Sequence, residues 1–471
     1  MYICGKWVER TETIPVVDPF SQTIVDTVPQ ASVNDINQAV TSASSGAAAM
    51  ARLTAYDRYK ILNRAAELIG EHAETLAQTI TQEEGKILAE SRTEVKRSIQ
   101  TMLLSSEEAK RIHGETIPLD AAPGVTSKFG FTIRCPVGII AAISPFNFPL
   151  NLVCHKIGPA LAAGNAVILK PATDTPLSAL KLTEIMIQAG LPAEALQTIT
   201  GRGSEIGDAL TAHPDVRKIT FTGSRDIGEH ICRTAGLKKV TMELGSNSPL
   251  IVMPDADIST VASATVSSGF ANAGQVCIST QRILADRRIY GDLLDSLISP
   301  IQALVTGDPK ADETNMGPLI RESDAMRINQ WIDDANTAGA RVLVGGERHG
   351  CIHTPTVVAD VTSEMQIWRE ELFGPAVAVQ SFSGGIDEAI SMANDSRYGL
   401  SAGIFTKNID SAMKFAREVN SGNLMINAAP QWRVDLMPYG GLKDSGMGKE
   451  GPAYAVMEMT ELKMVVFHLS S

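Results

Sequence analysis

Along residues 35–113, Ala, Leu and Ile recur at three- and four-residue spacing among Glu, Lys and Arg, so the chain opens on a layer of amphipathic helices. SKFGFTIRCP (127–136) then alternates between Gly and Pro boundaries, which predicts an exposed hairpin of the kind that mediates oligomer contacts. Over 138–245 the pattern changes again. GIIAAIS, AVILK, LQTIT, RKITFT and KVTMEL read as short apolar strands, separated by the helical stretches NLVCHKIGPALAAG, LSALKLTEIMIQAG, SEIGDALTAH and SRDIGEHICRTAG. Parallel strands need crossovers, and crossovers lay helices on both sheet faces, so this is a doubly wound, Rossmann-like domain. From Pro249 onward PLIVM, the helical stretch 258–272, RILAD, RVLVGG and PAVAVQSF predict a second α/β unit, with Cys277 in a loop inside it. The tail TELKMVVFHL reads as one strand returning to the early hairpin. No internal repeat or low-complexity linker interrupts the chain.

Length and charge narrow the class. The 471 residues suffice for about two to three folding units. With 41 basic against 53 acidic side chains the net charge is −12, which argues against nucleic acid as a partner but leaves room for a local basic pocket. The opening MYICGKWVER has no apolar core of signal-peptide length, so a cytoplasmic protein is expected. Residues 136–153 are the most apolar, yet Pro145, Asn147, Pro149 and Asn151 break them into strand, turn and helix start, so no membrane span is expected. The six cysteines form no CxxC pair and the eight histidines no HExxH, so disulfides, structural zinc and a catalytic metal are not expected.

Open parallel sheets bind ligands beyond the carboxyl ends of their strands. The five exits read Ser144-Pro145-Phe146-Asn147, Lys170-Pro171-Ala172-Thr173, Gly201-Arg202-Gly203, Gly223-Ser224 and Glu243-Leu244-Gly245, so one edge collects glycines, a lysine and a carboxylate. FTGSRDIG sets Gly223 and Gly228 around a helix start, where free N–H groups suit a pyrophosphate; it is no GxGxxG fingerprint, and GRGSEIG matches that only loosely. Lys170 is placed to reach ribose hydroxyls or phosphate, or is a solvated strand-end lysine. Cys277, in ANAGQVCISTQR, follows a helical pattern and sits beside small residues that admit a substrate to a nucleophilic thiolate. The other reading of a lone cysteine, a small buried hydrophobe, is given to Cys154 and Cys232 on apolar helix faces. Glu243 ends an apolar strand, where desolvation raises a carboxyl toward a useful general base; alone it reads equally as a capping or ion-pairing acid.

Taken together SPFNFP, ILKPA, FTGSRDIG, MELGSNSP, GQVC, EELFGP and PYGGLKDSGMGKEG resemble, in order and spacing and over nearly the whole chain, the aldehyde dehydrogenase superfamily. The resemblance implies oxidation of an aldehyde to its carboxylic acid with NAD or NADP. Cys277 matches the nucleophile and Glu243 the general base, while Asn147 with the Cys277 N–H matches the oxyanion site. Lys170 and Glu371 would hold the two riboses, Phe373 the nicotinamide, and Gly223 with Ser224 the pyrophosphate. Ser144, Phe146, Thr173, Gly203, Gly228, Leu244 and Gly245 would complete the coenzyme site. The implied fold class is α/β: a Rossmann-like coenzyme domain (1–122 and 136–245), a second α/β catalytic domain (246–440) and a small β oligomerisation arm (123–135 and 452–471) of a homodimer or homotetramer.

Three departures from the family pattern stand out. Thr173 takes the place of a glutamate that in many NAD-preferring members binds ribose and repels a 2′-phosphate, so NADP is admissible. Ser246 replaces a glycine, and Val276 withholds an arginine that some phosphate-specific relatives carry. QTITGRGSEIGDAL, NFPLNLVCHK and RVDLMPYGG look most like the branch of non-phosphorylating glyceraldehyde-3-phosphate, lactaldehyde, phosphonoacetaldehyde and sulfolactaldehyde dehydrogenases. A small hydroxylated or anionic aldehyde is therefore expected, with Arg97, Arg282 and Arg433 as candidates for an anion pocket or as structural arginines. A CoA-acylating semialdehyde dehydrogenase would use the same thioester but typically lacks the glutamate. A cysteine hydrolase would need a histidine base, and no histidine lies in these motifs.

Overall fold

The computed structural model describes residues 1–469. Four helices, Val33–Arg52, Ala55–Glu71, Ala73–Glu84 and Leu88–Ala109, form the opening layer. The first starts at a capping box: the Ser32 hydroxyl accepts from the Asp35 N–H and the Asp35 carboxylate accepts from the Ser32 N–H.

All five strands expected over 138–245 form: Ile139–Ile143, Ala166–Lys170, Leu196–Thr198, Val216–Thr222 and Lys239–Glu243. They are parallel, in the spatial order third, second, first, fourth, fifth. The order reverses between Ile139–Ile143 and Val216–Thr222, the crevice where a doubly wound sheet binds its ligand. Ile139–Ile143 and Ala166–Lys170 are buried at every position, as strands covered on both faces must be. Short antiparallel strands close the edges, Tyr2–Ile3 with Lys6–Trp7 on one side and Gly446–Met447 on the other.

The second sheet runs in the order Arg341–Val344, Thr356–Ala359, Ala376–Phe382, Arg282–Asp286, Pro249–Val252, Ser401–Phe405, Asn423–Ile426, parallel except at the first edge. The molecule is thus α/β, with a Rossmann-like sheet, a second α/β unit and a small β arm.

The arm differs from the expected hairpin. Lys128–Pro136 is one continuous strand, paired along its whole length with Thr460–His468 and on its other side with Thr116–Ile117. Gly130 is not a turn residue: a Cβ there would lie 2.5 Å from Met464 and 2.8 Å from Leu119, so the glycine makes room for packing. Pro452–Glu458, just before the returning strand, is a helix packed on Asn151–Ala162 and Leu88–Ala109. No helix among the described residues is long and apolar enough to cross a membrane.

Candidate active site

At the carboxyl edge of the first sheet two helices, Gly203–Ala212 and Arg225–Ala235, begin without a side-chain cap, which leaves their first N–H groups free. Gly203 has open space where its Cβ would be, and Ser224 at the second helix start is exposed. Gly223, Gly228 and Gly245 are glycines for reasons of packing. A Cβ would lie 2.5 Å from the Phe221 ring, 2.4 Å from Leu244 and 2.4 Å from Glu371 Oε2 respectively. Lys170 is buried with Pro171 O as its one partner (3.2 Å), and burial pushes its ammonium down to about 8 while Asp174 pulls it back up. Thr173 donates to Gly201 O (3.3 Å).

Glu371, whose carboxyl burial pushes up to about 7, accepts from the Ser246 N–H through Oε1 (2.8 Å). Phe373 holds a left-handed φ of 53°, a conformation uncommon for a bulky residue, and meets Phe146 edge to face at 5.9 Å. Ser144 is buried, its hydroxyl without a partner. A buried cation, an adjacent carboxylate, two open helix N-termini and an aromatic pair along one crevice fit a dinucleotide.

Cys277 lies in the loop between Ile258–Gly269 and Arg282–Asp286. The loop starts with three consecutive left-handed residues, Asn272 (φ 49°), Ala273 (φ 53°) and Gly274 (φ 70°). For the two non-glycine residues this costs roughly 1–2 kcal/mol each, and buried contacts hold it in place. Glu84 Oε1 accepts from Asn272 Nδ2 (2.8 Å), both Glu90 oxygens accept from the Asn272 N–H (3.1 Å), and a Cβ on Gly274 would meet Gly374 O at 2.1 Å. The Cys277 sulfur lies 2.9 Å from the Tyr439 hydroxyl; burial pushes its thiol up to about 12, against the pull of Tyr439 and Arg433.

Asn147 donates one side-chain N–H to Gln275 O (2.7 Å), two residues before Cys277, and its own carbonyl accepts from Lys86 Nζ (2.7 Å). Glu243 ends its strand with both carboxylate oxygens buried and, among the described residues, unpartnered. Gly440 makes this placement possible, since a Cβ there would lie 2.7 Å from Oε1. Burial, then neighbouring Glu450, raises the Glu243 carboxyl well above the usual range.

Cys277, Arg97 and Arg433 share the wall of a cavity of about 290 Å³ with Lys86, Glu94 and Val276. Arg97 grips Asp435 through Nε–Oδ2 (3.1 Å) and Nη2–Oδ1 (2.7 Å), and His155 Nε2 lies 2.9 Å from the same carboxylate. Arg433 lies 3.7 Å from the Tyr439 ring centre and bonds Glu450 (3.3 Å), which also pairs with Lys156 (3.2 Å). The sequence reading missed Lys86, Glu94, His155, Lys156, Asp435, Tyr439 and Glu450. One signal was present: His155 and Lys156 sit side by side in a helix otherwise almost wholly apolar, and buried polar groups demand partners.

Arg282 must be taken out of the substrate set. Its buried guanidinium donates to Asn247 O (2.9 Å), Met392 O (3.2 Å) and Ala393 O (2.9 Å) and lies 5.3 Å from the Trp368 ring centre, so it ties loops of the second sheet together and is not in the cavity wall.

The profile of the Aldehyde dehydrogenase family matches residues 7–465. The chain is 47% identical over 469 residues to 3-sulfolactaldehyde dehydrogenase of Priestia megaterium, covering 100% of this chain and 98% of that one. Among solved structures it is similar to aldehyde dehydrogenase 21 of Physcomitrella patens in complex with the reaction product succinate (38% identity, TM-score 0.96, 99% and 97% covered). It is also similar to glyceraldehyde-3-phosphate dehydrogenase of Methanocaldococcus jannaschii complexed with NADP (35% identity, TM-score 0.94, 98% and 100% covered). The chain belongs to the aldehyde dehydrogenase family, the NAD(P)-dependent oxidoreductases that convert aldehydes to acids.

Proposed function

We propose that the chain oxidises a small hydroxylated or anionic aldehyde through a thioester on Cys277. The observation that carries this reading is Cys277 in the wall of a cavity of about 290 Å³ together with two guanidinium groups, Arg97 and Arg433. That volume lies at the small end of ligand pockets.

Cys277 first loses its thiol proton to solvent; the thiolate then adds to the carbonyl carbon, and the oxyanion takes hydrogen bonds from the second Asn147 N–H and the Cys277 N–H. The coenzyme, NAD or NADP, would supply the redox chemistry as acceptor for the hydride lost from that carbon. Glu243, once ionised, takes a proton from water, which attacks the thioester and releases the acid and the Cys277 thiolate. A buried carboxylate at this position favours hydrolysis over release to CoA. Lys170 and Glu371 would hold the riboses, Phe373 and Phe146 the nicotinamide end, and the helix starts at Gly203 and Ser224 the phosphates, with Ser144, Thr173, Leu244 and Gly245 lining the crevice.

We assign residues 1–122 and 136–245 to coenzyme binding and 246–440 to catalysis. The strands Lys128–Pro136 and Thr460–His468, with Phe129, Ile133, Leu462 and Phe467 exposed, would join copies of the chain into a homodimer or homotetramer in the cytoplasm. The test is kcat/KM for lactaldehyde, glyceraldehyde 3-phosphate and succinic semialdehyde against hexanal and benzaldehyde, with either coenzyme. At least one of the first three should lead by about tenfold or more; hexanal or benzaldehyde in front would overturn the reading.

A further inference from the structure

Resting on the reading that this cavity takes a small hydroxylated or anionic aldehyde, we propose that it favours a singly charged head group, a sulfonate or carboxylate. A doubly charged phosphate or phosphonate is disfavoured, and Asp435 sets the difference. The cations in the cavity wall, with Lys156 behind it, all face carboxylates. Lys86 pairs with Glu94 at 2.5 Å, Arg97 is gripped by both oxygens of Asp435, and Lys156 and Arg433 share Glu450 at 3.2 and 3.3 Å. These four cations meet three carboxylates, so at most one positive charge is left for a ligand, and Glu90, also in the wall, removes it on ionising. Val276, beside the nucleophile, lines the cavity without adding another.

Hydrogen-bond donors are less scarce than charge. Among the described residues Arg97 Nη1 and Arg433 Nη1 have no protein partner, and Arg433 Nε is buried without one. A sulfonate or carboxylate can accept from the Nη1 groups while bringing only one negative charge. A dianion accepts the same bonds but brings a second negative charge to a wall backed by Glu94, Asp435 and Glu450, with no cation to meet it.

The neighbouring titratable groups do not reverse this. His155 is held low by burial and by Arg433, so it adds no cation, and Glu90, which burial pushes up to about 7, takes the balance further down as it ionises. Although burial works against it, Asp435 is kept ionised by bonds from His155 and Arg97. It also accepts from Asn151 Nδ2 (3.2 Å), so it acts on a ligand through Arg97 and Asn151, both in the wall, as a positioning residue.

Sulfoacetaldehyde and phosphonoacetaldehyde share a skeleton and differ in head-group charge. Their kcat/KM values are to be compared at a pH where the phosphonate is doubly charged, with propanal as the uncharged control. The native enzyme should prefer the sulfonate by about tenfold or more. Asp435→Asn should reduce that ratio at least about fivefold by improving relative use of the phosphonate, and Asp435→Glu should restore it. A ratio is insensitive to partial loss of folded enzyme, and the native comparison decides alone if Asp435→Asn does not fold. Equal or better use of the phosphonate by the native enzyme, or an unchanged ratio in Asp435→Asn, overturns the proposal while both anions still outrun propanal. Propanal matching both anions overturns the underlying substrate reading, and this proposal with it.

Discussion

The two parallel sheets share an architecture but meet the site from opposite ends. The first presents the carboxyl ends of its strands: Ser144, Lys170, Gly223 and Glu243 end or follow them. The second presents the amino ends of its strands. Gly245 and Ser246 precede Pro249–Val252, Cys277 precedes Arg282–Asp286, and Glu371 with Phe373 precedes Ala376–Phe382. Carboxyl ends lead into helix N-termini, which suit phosphates in any doubly wound fold. The amino ends offer no such general device. There the loops are shaped residue by residue, as Glu84 and Glu90 shape Asn272 ahead of Cys277. One half of the site thus follows from the fold, and the other from the individual side chains of its loops.

Separating the halves gives the largest expected effect. Cys277→Ala should abolish turnover, because the thiol forms the covalent bond, while coenzyme affinity, held by the first sheet, stays within about threefold. Nicotinamide absorbance and a calorimetric titration with coenzyme read the two quantities. Residual turnover above about one per cent would remove Cys277 from its role.

Glu243→Gln should slow deacylation by roughly 10²–10⁴-fold and keep a first burst of one hydride per site, since an amide takes no proton from water. Rapid mixing separates burst from slow phase, and loss of the burst would place Glu243 in thiol activation instead. The sign of the pH dependence follows from the raised carboxyl. The base works only when ionised, so native kcat should rise with pH through a value above the ordinary carboxylate range, and the rise should be missing in Glu243→Gln.

The same asymmetry explains what the sequence made legible. The five strands of the first sheet are unbroken apolar runs with crossover helices between them, and all were readable. In the second sheet Thr356–Ala359, Ser401–Phe405 and Asn423–Ile426 escaped notice, because TVVA, SAGIF and NLMI are too short for periodicity and become strands through their neighbours. The hairpin expected over 127–136 is instead one strand, because its antiparallel partner Thr460–His468 lies more than 300 positions away. Cys277, Glu243 and Asn147 stood out by motif. The polar network behind them did not, since His155 meets Asp435 across 280 positions and Lys156 meets Glu450 across 294. No local pattern records such a pairing.

A smaller effect is expected on the coenzyme side, at Thr173. It lies three residues beyond Lys170, half-buried against Gly201 O. Thr173→Glu would put a carboxylate where a 2′-phosphate would be repelled while free ribose hydroxyls could still be bonded. The ratio of kcat/KM for NADP to that for NAD should fall about tenfold, roughly 1.4 kcal/mol. An unchanged ratio would mean that the adenosine ribose does not reach this residue.

The smallest effect on catalysis belongs to Arg282. Its fork bonds three carbonyls, two of them in buried contacts, and leaving a buried carbonyl unsatisfied costs about 1–3 kcal/mol. A lysine keeps the charge but has one ammonium in place of a planar fork, so it cannot serve all three at once. Arg282→Lys should therefore lower the melting temperature by several degrees, while the ratio of kcat/KM for an anionic to an uncharged aldehyde stays within about twofold. Arg97→Ala should do the reverse, costing the anionic aldehyde about tenfold or more with a smaller change in melting. If Arg282→Lys lost the anionic preference with its melting temperature intact, the guanidinium would belong to the cavity after all.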